Sequence, residues 1–228
     1  MIVIKNRTLR IILKIAVPFV LVPGCIALGI FVFDEKRYAF VTAAVTVLAL
    51  LLFVAGFEKK KTGTRRLVLC AVMTALSVVG RFIPYFKPVT ALTVITAAYI
   101  GGEAGFFVGA LSAVISNFFF GQGPWTPFQM FAWGMIGLAA GALGKYLREK
   151  KLLLVLYGVG AGIVYSMVMD VWTVLWYGEG LGMDMYLSAI VTALPYTALY
   201  AVSNAVFLWL IAKPFGDKLA RVKLKYGV

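Results

Sequence analysis

Long apolar stretches broken by short polar or glycine- and proline-containing segments set the rhythm of this chain. Residues 11–33 and 38–57 predict two helices joined by a turn at 34–37, with Pro18 and Pro23 kinking the first. After a basic segment from Glu58 to Arg66 the pattern resumes. Further apolar stretches run from Leu67 towards Arg81, from Val89 to Ile100, from Gly105 towards Asn117, and over 127–144, 152–176 and 187–212. Such runs are apolar on every face, which predicts membrane-crossing helices and excludes the alternating strands of a barrel. The stretch from Val89 to Ile100 is short for ~30 Å of hydrocarbon and predicts mismatch, a break or burial against neighbours. Gly134, Gly137, Gly141 and Gly144 predict a packing groove, and Gly105, Gly109 and Ser112 a close helix approach. The chain reads as an all-α integral membrane protein with an N-terminal two-span segment (1–57), a basic cytoplasmic linker (58–66), a six-span core (67–213) and a basic tail (214–228).

Between the third and fourth core spans lies a charge-free turn, Asn-Phe-Phe-Phe-Gly-Gln-Gly-Pro-Trp-Thr-Pro-Phe-Gln, from Asn117 to Gln129. Its glycines and prolines interrupt the helix, and Asn117, Gln122, Thr126 and Gln129 offer hydrogen bonds there. The flat rings of Trp125, Phe128 and Trp133 suit a planar organic ligand.

Composition sharpens the membrane reading: 62% of the 228 residues are hydrophobic and 14% charged, more apolar surface than a soluble domain could enclose. Lysine and arginine number 22 against 9 acids, a net +13 that in a soluble chain would point to nucleic acid. Here 18 of those 22 fall in four clusters, Lys5–Lys14, Lys59–Arg66, Lys145–Lys151 and Lys213–Lys225, which alternate with the apolar spans. Placing the clusters in the cytoplasm leaves only Lys36, Arg37, Arg81 and Lys87 outside. The expectation is a multi-pass cell-membrane protein with both termini cytoplasmic, in contact with anionic lipids and not with nucleic acid. Two cysteines and no histidine leave no disulfide framework, metal cluster or cofactor site to expect. Val22-Pro-Gly-Cys25 is a poor lipoprotein cleavage site, so the first segment reads as a retained helix.

Candidate chemistry is sparse. Asp170 is the one acid deep inside a span, and both a ligand or proton role and a structural hydrogen bond fit it. The topology brings Trp172, Trp176 and Tyr177 towards the same face as Trp125 and Trp133, as a pocket wall or an interfacial aromatic belt. Tyr196, Tyr200 and Ser203 follow helical spacing and serve either a third wall or interhelical hydrogen bonds. Ala71 and Ala75 form a small-xxx-small strip just after the basic linker.

With these residues, the chain from about Arg65 to Lys213 resembles the substrate-binding S components of energy-coupling factor (ECF) vitamin transporters. The resemblance rests on Ala71-xxx-Ala75, on the Gly-Gln-Gly-Pro-Trp-Thr-Pro-Phe-Gln turn, and on the lack of any energising domain. It implies a six-helix S-component-like core, preceded here by two additional transmembrane helices. It also implies capture of a vitamin or related micronutrient from outside, with the overall look leaning towards cobalamin, and no enzymatic activity. The partners implied are an ECF transmembrane coupling subunit, docking on Ala71 and Ala75, and two ATPase subunits. The loaded subunit is then expected to topple within the bilayer. Rival readings are a membrane enzyme acting on lipids or isoprenoids, which would need an acid–base or metal constellation, and a scaffold for other membrane proteins.

Overall fold

The computed structural model describes residues 4, 6–31, 38–56, 60–177 and 182–226, and among them no strand occurs. The turn at 34–37, Glu58 and Lys59 of the linker, and residues 178–181 lie outside the described residues. The first rod consists of α1 (Arg7–Ala16), a π-helical turn (Val17–Leu21) and α2 (Val22–Phe31). Where Pro18 and Pro23 predict a kink, the structure has the π turn. Neither proline can donate, and the Val22 N–H reaches back five residues to the Val17 carbonyl.

The second rod is α3 (Tyr38–Ala55), and the core follows as α4 (Lys60–Gly80), α5 (Val89–Ile100), α6 (Gly102–Phe120), α7 (Trp125–Ala142), α9 (Lys151–Tyr177) and α10 (Met183–Tyr226), with short α8 (Gly144–Glu149) before α9. Two expected boundaries shift. Lys60 to Arg66, expected as linker, make the first turns of α4, and the expected tail continues α10 through Pro214 to Tyr226. Six of the described helices, the first rod counted as one, are long and apolar enough to cross a membrane, and α5 and α7 complete an all-α membrane bundle.

Glycine decides how closely α6 and α7 pack. A Cβ on Gly137 would lie 2.4 Å from the Gly105 carbonyl carbon, one on Gly141 2.2 Å from Gly102, and one on Gly109 2.5 Å from the Trp133 carbonyl oxygen. The expected groove is therefore filled by the backbone of α6. Gly162 similarly admits the backbone of α10 at Ala201. The N-terminal pair packs on the α6 side of the core, where Phe53 stacks on Phe107 at 4.5 Å and Lys14 pairs with Glu103 at 2.6 Å.

The short α5 is accommodated by burial: Val89 to Ala98 are all enclosed by neighbouring helices. At its C-terminal end the carbonyls of Ala98, Tyr99 and Ile100 accept hydrogen bonds from Arg148, Lys223 and Arg66 respectively. Three cations thus satisfy orphan carbonyls at the negative end of the helix dipole.

Candidate functional site

At the opposite end of α5 the core helices part around a cavity of ≈ 450 Å³, counted out to its open mouth. Helical spacing supplies its walls in pairs. Gln129 and Trp133 stand one turn apart on α7, Gly162 and Tyr165 on α9, and Tyr200 and Asn204 on α10. Val89 and Thr90 begin α5, while Arg81 and Lys87 come from the segment joining α4 to α5.

The rings form an aromatic panel built as a stack, in which one ring covers the face of the next. Trp133 stacks on Tyr165 with centroids 4.8 Å apart and planes 15° from parallel, and Tyr200 meets Tyr165 edge-on at 5.3 Å. Behind this panel the charge-free turn is knitted to four helices. Arg81 Nη1 donates to Ser116 Oγ at 2.5 Å and to Asn117 Oδ1 at 2.6 Å. Asn117 Nδ2 donates to Thr126 Oγ1 and Gln129 Oε1, and Gln129 Nε2 donates to the Tyr165 hydroxyl at 3.1 Å. One route of hydrogen bonds therefore runs from the end of α4 through α6 and α7 to α9. Asn117 spends both amide hydrogens on it.

The guanidinium of Arg81 also lies 5.0 Å from the Phe120 ring centre and 5.5 Å from that of Trp133. Lys87 approaches Phe120 at 5.4 Å, and its backbone N–H is held by Ser203 Oγ at 3.0 Å. Burial pushes Arg81 below its ordinary value, partly offset by the Tyr165 and Tyr200 phenols. Burial, and then the Arg81 charge, push Lys87 below its own.

The residues singled out from the sequence divide into groups. Gln129, Trp133 and Tyr200 line the cavity. Asn117 and Thr126 are buried behind it, and Gln122 staples the turn by donating to the Val114 carbonyl and accepting from Thr126. Phe128 packs in the core. Trp125 and Trp172 meet edge-on at 5.7 Å, with Trp176 and Tyr177 against Trp172, so the two aromatic groups do converge, yet none of these four is a cavity wall. Gly123 makes that possible, since a Cβ there would lie 2.2 Å from the Trp125 ring.

Asp170 is buried on α9, and its Oδ2 finds no hydrogen-bond partner among the described residues. Tyr196, expected beside Tyr200, is instead 65% exposed, because α10 turns that position outwards while Tyr200 and Ser203 face the bundle. Ala71 and Ala75 lie exposed on α4 among Val68, Val72 and Val79. Arg81, Lys87 and Tyr165 were not singled out as ligand contacts by the sequence. The available signal was charge, because Arg81 and Lys87 are two of the four basic residues stranded on the side opposite the basic clusters.

No curated protein and no solved structure matches the chain. A family model described as ECF-type riboflavin transporter, S component, matches residues 61–221. The matched span covers the six core helices and every wall of the cavity. Such S components are substrate-binding subunits for vitamin-type ligands that work with an ECF energising module, and the family is not one of enzymes. With most of its length inside that match, the chain belongs to the ECF-type riboflavin transporter S component family.

Proposed function

We propose that this subunit captures a riboflavin-type, planar heteroaromatic micronutrient in the cavity between α5, α7, α9 and α10, and hands it to an ATP-driven partner module. The observation that carries the reading is the Trp133–Tyr165 panel at the cavity, with the Gln129 amide beside it. Such a stack sets aromatic edges and a polar amide side by side at the cavity, a combination that suits a small aromatic ligand. The family's description carries riboflavin where the sequence leaned towards cobalamin.

The basic clusters at the end of the bundle opposite the cavity support a mouth facing outwards, with both termini cytoplasmic. The exposed strip of Ala71 and Ala75 supports α4 as the face that meets the coupling subunit, which in turn carries two ATPases. Titrating the purified subunit with riboflavin, read by quenching of flavin fluorescence, tests the reading. Trp133→Ala is expected to weaken binding about tenfold, whereas Trp176→Ala leaves it within about twofold. Equal losses in both variants would move the ligand to the Trp125–Trp172 cluster.

A further inference from the structure

Two cations line the cavity and no carboxylate does. Arg81 reaches Ser116, Asn117, Phe120 and Trp133, all uncharged, and Lys87 reaches Phe120 and Ser203, also uncharged. Neither has an ion-pair partner among the described residues. Bringing two like charges together in a half-buried site is unfavourable unless an opposite charge joins them. The Arg81 side chain and the Lys87 backbone are held where they are by their surroundings. The Arg81 guanidinium is fixed by two hydrogen bonds and two ring faces, and the Lys87 backbone by Ser203. The missing partner in this arrangement is an anion supplied with the ligand.

We infer that the preferred ligand is an anionic form of an aromatic micronutrient, carrying a phosphate or carboxylate that Arg81 and Lys87 receive while the ring system packs beside Trp133, Tyr165 and Tyr200. The inference rests on the proposed capture function and narrows its substrate class. Hydrogen bonds in which donor or acceptor is ionised are roughly twice as strong as neutral ones, and an anionic acceptor adds the opposite charge that two adjacent cations call for. An otherwise identical neutral ligand leaves both cations uncompensated.

The test compares ligands of the same ring system with and without an anionic group. The purified full-length subunit in lipid nanodiscs is titrated with riboflavin and with riboflavin 5′-phosphate, and its thermal stability is measured with nicotinamide and with nicotinate. The expected result is that the 5′-phosphate binds about tenfold or more tightly than riboflavin. That ratio is expected to fall below about threefold in Lys87→Gln and to persist in Lys87→Arg. Equal or weaker binding of the 5′-phosphate overturns the inference and leaves the flavin assignment standing. If neither flavin binds, the flavin assignment fails, and the nicotinate pair then decides the charge preference. No preference for the anion in either pair overturns the inference. A preference that survives unchanged in Lys87→Gln overturns the role given to Lys87.

Discussion

Lys87 projects beside Arg81 with its ammonium 5.4 Å from the Phe120 ring centre, and its proton is held less firmly than that of an ordinary lysine. The folded, empty protein therefore binds that proton more weakly than the unfolded chain does. The sign follows from linkage: below the depressed folded value the charge costs stability, and the cost fades as pH rises through that value towards the ordinary lysine range. Lys87→Met is expected to melt at a higher temperature than the wild type at neutral pH, with the gap narrowing at alkaline pH. Thermal unfolding without ligand checks both, and a gap of the opposite sign would rule out uncompensated charge. Residues of this kind are hard to read in a sequence. Arg81-Phe-Ile-Pro-Tyr-Phe-Lys87 has the look of a solvated loop, and contacts with Ser116, Asn117, Phe120 and Ser203, far off in sequence, draw it over the cavity. The turn from Asn117 to Gln129 was legible as polar and ring-bearing. Its division into a cavity wall at Gln129 and Trp133 and a buried brace at Asn117, Gln122 and Thr126 depends on which side of each helix faces inwards.

Helix pairing was more accessible, because closely approaching helices require small residues at regular intervals and the chain displays them openly. Gly134, Gly137 and Gly141 on α7 indicated a groove and Gly105 and Gly109 on α6 a close approach, and the structure shows that the two belong to one interface. Gly137→Ala places a methyl against the Gly105 backbone, where no flexible side chain can yield. It is expected to destabilise the bundle by about 1–3 kcal/mol. Gly160→Ala, where an added Cβ meets nothing within 4 Å, should be close to neutral or slightly stabilising. Denaturation in mixed micelles compares the two, and equal effects would contradict the α6–α7 packing. The start of α4 was less legible. Lys60 to Arg66 carry the charge expected of a linker, yet they lie on the helix whose Arg66 reaches the Gly56 and Ile100 carbonyls.

For the molecule as a whole, hydropathy alone announced an all-α membrane protein and an apolar N-terminal pair. It could not place the pair, since one lipid-facing apolar surface resembles another. The seat on α6 is chosen by particular contacts, the Phe53–Phe107 stack and the Lys14–Glu103 ion pair. That seat leaves Ala71 and Ala75 exposed on α4. Replacing both with tryptophan is expected to reduce uptake in cells to background, while the purified subunit binds its ligand within about twofold of the wild type. Uptake that survives the double substitution would move the docking face elsewhere. The twelve residues of α5 have a further consequence. At 1.5 Å per residue this helix is about 18 Å long, well short of a ~30 Å hydrocarbon layer. Cavity-lining Thr90 marks one end and the Arg66–Arg148–Lys223 cations the other, so the septum between the cavity and the opposite end of the bundle is little more than half a hydrocarbon layer thick.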